Sequence, residues 1–156
     1  VSDTTEYLPV RDMKLAVTLI ALKHLVHDIK IDGRTVYVVF EAEDVASDES
    51  AFYLRALDPV PIENMLSALQ RFRILLMREQ GDEYLVSSRE AAISLMSAGI
   101  RPSGLQQLER MLYFKFPKTI EVKNFLLFLA NGTGPVVAVD DFWSEYQHFS
   151  DALRSR

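Results

Sequence analysis

The clearest regularity in this chain is a stretch where apolar and polar residues alternate, IKIDGRTVYVVF, centred on Asp32-Gly33. Alternation is the signature of a half-buried strand, and Asp-Gly accepts the positive φ of a tight hairpin turn. With those two residues as the loop, Ile31 faces Arg34, Ile29 faces Val36 and His27 faces Val38. One face then carries His27, Ile29, Ile31, Val36, Val38 and Phe40, while Asp28, Lys30, Thr35, Tyr37 and Val39 fill the other. The spacing predicts a β-hairpin over 29–40.

Helical spacing dominates elsewhere. Asp12 caps a helix over 13–25 that is apolar on nearly every side, so it should be covered on more than one face. A second helix, 62–78, follows Pro59 and Pro61 and carries Ile62, Met65, Leu66, Leu69, Phe72 and Leu76 at the i, i+3, i+4 spacing. Short strands are expected at 6–10 and at 52–57 (FYLRAL). Beyond Gln80-Gly81-Asp82, a strand is expected over 84–86. Ser87 with Glu90 then makes a capping box for a helix to Ala98, stopped by Gly99 and Pro102. Leu105, Leu108, Met111 and Leu112 suggest a helix over 103–114. Thr119 caps another that ends at Asn131-Gly132. A strand at 136–139 and a last helix with Phe142, Tyr146, Phe149 and Leu153 on one side complete the pattern. No internal repeat stands out.

These elements predict an α+β fold, with a small antiparallel sheet centred on the hairpin and packed with helices. The chain divides into an α+β domain, residues 1–80 (strand-helix-hairpin-strand-helix), and a mostly helical region, 81–156, packed on it as one unit or standing as a second. A length of 156 residues suits either arrangement. The most apolar stretch, LAVTLIALKHLV, is too short for a membrane span and contains Lys23 and His24. Its flank lacks the cationic start of a leader peptide.

Charge changes the picture more than size does. Lys and Arg number 17 against 22 Asp and Glu, a formal net charge of −5, which argues against a dedicated duplex-DNA binder. The acidity is concentrated: Glu41, Glu43, Asp44, Asp48 and Glu49 form a run without a cation, expected as a loop after the hairpin. The opposite bias occurs in RMLYFKFPKTIEVKN, where Arg110, Lys115, Lys118 and Lys123 alternate with Tyr113, Phe114 and Phe116. Cations that track a backbone and aromatics that stack on bases are what single-stranded nucleic acid requires. A helix-turn-helix across 88–114 is the related reading.

Catalytic chemistry finds no foothold. The absence of cysteine removes disulfides, thiol nucleophiles and thiolate metal ligands together. His24-x-x-His27-Asp28 has too few ligands for a zinc site, and its helix is expected to end between the histidines, so no metal is assigned. Asn131-Gly-Thr-Gly-Pro135 lacks the Gly-Lys-Ser/Thr of a phosphate loop, and no serine has a Gly-x-Ser-x-Gly setting. No catalytic residue and no cofactor is assigned. The acidic run serves best as a recognition surface, with Glu41, Glu43, Asp44, Asp48, Glu49, Phe52 and Tyr53 meeting a basic partner protein.

Over residues 7–78, the series YLPVRDMKLAVTLIALKH, VYVVFE, AFYLRALDPV and ALQRFRILL resembles a small domain family of unknown function found in bacteriophages and prophages. The resemblance implies a mobile-element origin and supplies no catalytic residues. The expected function is therefore that of a phage accessory protein that binds another protein, host or viral, or itself. It would act as a host-factor inhibitor in the host cytoplasm or as a virion or assembly component. The alternative is a nucleic-acid-binding accessory using Arg110, Tyr113, Lys115, Lys118 and Lys123.

Overall fold

The computed structural model describes residues 5–131. The expected strand at 136–139 and the last helix lie outside the described residues. Within them the order is β1 (Tyr7–Val10), α1 (Met13–Ala21), β2 (Asp28–Asp32), β3 (Thr35–Glu41), α2 (Ala42–Tyr53), α3 (Ile62–Leu75), β4 (Met77–Gln80), β5 (Glu83–Val86), α4 (Arg89–Ser97), β6 (Gly104–Leu108), β7 (Met111–Pro117) and α5 (Ile120–Asn131). The fold is α+β, with two antiparallel sheets ordered β1-β3-β2 and β4-β5-β7-β6.

The expected hairpin forms with its loop moved by one residue. Asp32 pairs with Thr35, Ile31 with Val36 and Ile29 with Val38, leaving Gly33-Arg34 as the loop. Gly33 sits at φ +60 and Arg34 is not left-handed, the pattern of a turn that needs glycine first. The slip moves each partner by two residues, so the face assignments survive. Asp12 caps α1 as expected, accepting from the Lys14 amide at 3.0 Å, and residues 15 to 21 are all buried.

Four further expectations are corrected. The acidic run is not a loop: it is the body of α2, where Glu43 and Asp44 occupy the first turn and favour the helix dipole. FYLRAL is not a strand, because α2 continues through Phe52 and Tyr53 and ends with Arg55 left-handed at φ 55. The helix over 103–114 is a hairpin, β6 and β7, and this removes the helix-turn-helix. Its two-residue loop, Glu109-Arg110, has both φ values positive, at 49° and 69°. That turn normally selects Asn or Gly, so its sequence gave no sign of it. Helix α3 also stops at Leu75, earlier than expected, and Met77 to Gln80 form β4. Gln80-Gly81-Asp82 contains the turn joining β4 to β5.

The second half repeats the first. Adding 76 to the bounds of β1, α1, β2 and β3 gives those of β5, α4, β6 and β7. The registers repeat as well: Leu8 pairs with Phe40 and Tyr84 with Phe116, while Ile29 pairs with Val38 and Leu105 with Phe114. Both first helices end the same way. Lys23 (φ 71) and Gly99 (φ 88) take the left-handed position, and the following amides, of His24 and Ile100, return to Leu19 and Leu95 at 3.1 and 3.0 Å. Each unit then closes with a twelve-residue helix, α2 or α5. Over residues 6–41 and 82–117, identity is confined to Val10/Val86, Ala16/Ala92, Leu19/Leu95, Arg34/Arg110, Tyr37/Tyr113 and Phe40/Phe116.

One hydrophobic cluster joins the two units, running from Val10 and Leu15 through Phe40, Phe72, Leu75 and Val86 to Phe116 and Leu126. Helix α3 lies between them and packs on both α1 and α5.

Candidate protein-binding face

Helix α2 begins directly after β3 and packs on α1 and β3 through a narrow stripe. Val45 is its one buried residue; Ala42, Asp48, Glu49, Ala51 and Phe52 are half-buried and the other six are exposed. The seven acidic and aromatic residues expected to form a contact surface are brought together here, but they do different work. Asp44 and Asp48, one turn apart, grip His24 from both sides: Nδ1 lies 3.3 Å from Asp44 Oδ2 and Nε2 lies 2.5 Å from Asp48 Oδ2. A carboxylate only accepts, so both contacts are hydrogen bonds only when both ring nitrogens carry protons. His24 is placed there by the left-handed Lys23, and the clamp fixes α2 to the end of α1. Glu41 lies 3.5 Å from His27, whose ring meets Tyr7 edge-on at 5.6 Å.

The remaining residues form the outer surface. Glu43 is exposed and Glu49 half-buried. At the C-terminal end Tyr53 is 62% and Leu54 75% exposed, while Phe52 turns in and meets the Tyr53 ring at 5.4 Å. The neighbouring start of α3 adds Ile62 (75%) and Leu66 (58%). Between the two helices, Phe52, Leu57, Val60 and Met65 line a depression of about 350 Å³. The exposed apolar residues of this corner have Asp58 and Glu63 near them in the chain, and Glu43 lies at the other end of α2, so apolar and acidic surface occur along one helix. Ile62 and Leu66 were missed in the sequence because an apolar residue at helical spacing reads as core, and Leu54 because FYLRAL reads as a strand.

The basic-aromatic residues are dispersed. Tyr113 is buried on β7, with the Arg78 guanidinium 5.5 Å above its ring, and Phe114 and Phe116 belong to the core. Lys115 lies 3.4 Å from Glu83, Lys118 3.0 Å from Glu79 and Lys123 2.6 Å from Asp28. The Ser103 hydroxyl first, and the Lys115 ammonium after it, hold Glu83 below the usual carboxylate range. The Glu79 carboxylate raises Lys118. Arg110 occupies the β6–β7 loop, where neighbouring Glu109 is held by Arg78 at 3.1 Å and by Arg34 from the tip of the first hairpin. Arg78 and Arg34 keep Glu109 ionised below its ordinary range.

Among the described residues no group of three or more His, Asp or Glu side chains is arranged to hold a metal ion. Comparison with protein-family models, curated proteins and solved structures finds no match.

Proposed function

We propose that this chain is a non-enzymatic accessory protein of a phage or related mobile element that works by binding another protein. The observation that carries this reading is the outer face of α2 and its corner with α3. A helix with one buried residue presents carboxylates along its length and ends in Tyr53 and Leu54, both more than half exposed. The partner that fits is a protein surface with an apolar centre and a cationic rim, because burial of Leu54 and Tyr53 supplies affinity while the carboxylates set orientation and rate. Such a partner suits a host-factor inhibitor in the host cytoplasm and a virion component alike. The mobile-element origin rests on the resemblance over residues 7–78. Among the described residues no helix is long and apolar enough to cross a membrane.

Nucleic-acid binding is the weaker reading. Its aromatics Tyr113, Phe114 and Phe116 are all buried, so the segment offers no ring on which bases could stack.

The test replaces surface residues and leaves the His24 clamp intact. Immobilised wild-type protein should retain a partner from host extract that a Glu43→Lys/Glu49→Lys/Leu54→Ser variant loses at least tenfold, and higher salt should weaken the retention. Identical retention by the two proteins would reject the α2 face.

A further inference from the structure

A second concave site lies away from the α2 face. It is a cleft of about 660 Å³ where the two sheets meet, with Lys30, Tyr37, Glu79, Tyr84, Lys118 and Lys123 around it. Lys30 and Tyr37 are cross-strand partners on the first sheet, and Glu79 and Tyr84 are partners on the second. The cleft is therefore built by both repeats and exists in neither alone.

Three features give it chemistry. Lys30, Lys118 and Lys123 line it with Asp32 and Glu79, and Asp28 sits beside Lys123, so the charges balance overall; of the three lysines, Lys30 is the one that pairs with no carboxylate among the described residues. Lys118 and Lys123 each give one hydrogen to a carboxylate, Glu79 or Asp28, and an ammonium has three. The ion pairs thus hold both lysines in position with donors to spare. The third feature is Tyr84, a wall residue only 6% exposed, whose hydroxyl no described residue hydrogen-bonds. Burial, opposed by Lys123, pushes its phenol above the ordinary range, so it stays a proton donor at neutral pH. Pro9, Ile29 and Ile31 add apolar wall beside the donors.

We infer that this cleft binds a small organic anion, a phosphate or carboxylate carried on an apolar or aromatic body. The anionic group accepts from Lys30, Lys118, Lys123 and the Tyr84 hydroxyl, and the body lies against Tyr37 and the aliphatic wall. The cleft volume falls within the range of small-molecule sites, roughly 300–1,000 Å³. This site shares no residue with the α2 face, so it stands or falls separately from the protein-binding reading.

The test is an amide-resolved NMR titration of the full chain with phenyl phosphate, set against phenol and inorganic phosphate. Phenyl phosphate should give saturable shifts at Lys30, Tyr37, Glu79, Tyr84, Lys118 and Lys123, with each of the other two at least tenfold weaker. Tyr84→Phe, which keeps the buried ring, and Lys30→Gln, on a strand edge, should each weaken binding at least threefold. Shifts that do not saturate, or that scatter over lysines outside the cleft, would overturn the site. Equal affinity for phenol would overturn the anion, and equal affinity for inorganic phosphate would overturn the apolar body. Unchanged affinity in both variants would also reject it.

Discussion

The two β-α-β-β-α units share strand order, register and helix endings, yet their closing helices have opposite characters. Helix α5 buries Val122, Leu126 and Ala130 and is held by α3, whose Arg71 donates to the Leu129 carbonyl at 2.7 Å. Its last residue, Asn131, clamps the first unit by bonding both the amide and the carbonyl of Val26 at 2.8 Å. Helix α2 buries Val45 alone and carries five carboxylates within or just before it. Topology dictates where a closing helix starts, and its neighbours dictate its composition. A helix packed along its length must carry an apolar stripe, and one seated through a single buried residue is left to serve another purpose.

The equivalence of the units is most severely tested in the core. Phe40 and Phe116 are matched residues with no exposed surface. Phe40→Ala and Phe116→Ala should each cost about 3–5 kcal/mol, and urea unfolding should remain a single transition in both. Two separated transitions would show two independent cores and break the comparison.

The next effect concerns the residue that follows each left-handed position. Ile100 packs on the core by apolar contact, whereas His24 works through two carboxylates. His24→Ala should destabilise by about 1–2 kcal/mol, the range for a hydrogen bond to a charged group moderated by solvent. A loss below a few tenths would mean that Val45 alone seats α2.

A smaller effect separates Lys23 from Gly99, which share one left-handed position. Lys23→Gly should stabilise by about 1 kcal/mol and Gly99→Lys should destabilise by a similar amount, both read from the urea midpoint. Changes of the same sign would contradict the shared geometry.

The smallest effect is the pH dependence carried by Glu83 in the second unit. Glu83, at the start of β5, is held below its ordinary value of 4.5 by Ser103 and Lys115. Its stabilising contribution is present above 4.5 and is lost as pH falls through the lowered folded value. Glu83→Gln should therefore flatten the fall in thermal stability below pH 4.5 and leave the slope at pH 6–8 unchanged. Tyr7, at the equivalent position of β1, cannot contribute such a carboxylate.

How much of this was legible depended on whether a local signal existed. Asp32-Gly33 announced the first hairpin, and Asp12 and Thr119 announced their helices, because those residues satisfy a specific backbone need. The second hairpin was hidden since Glu109-Arg110 adopts left-handed φ values without glycine, held by ion pairs to Arg34 and Arg78 that only the folded chain brings near. The repeat was hidden for a related reason. Buried positions demand apolar volume rather than identity, so Leu15 becomes Ala91, Ile29 becomes Leu105 and Val38 becomes Phe114 while the register stays fixed. The acidic residues were recognisable as a candidate surface, but not as a helix, and the use of Asp44 and Asp48 to hold His24 depends on residues some twenty positions away.

The contrast between α2 and α5 leads to one direct measurement. A photoreactive phenylalanine analogue replaces Tyr53 at the end of α2 or, in a second protein, Phe128 on α5, both largely exposed. Irradiation in host extract should give a discrete cross-linked partner from position 53, removed by Glu43→Lys/Glu49→Lys, and none from position 128. Cross-linking from position 128 alone, or a product at position 53 that the charge reversals leave unchanged, would contradict the account.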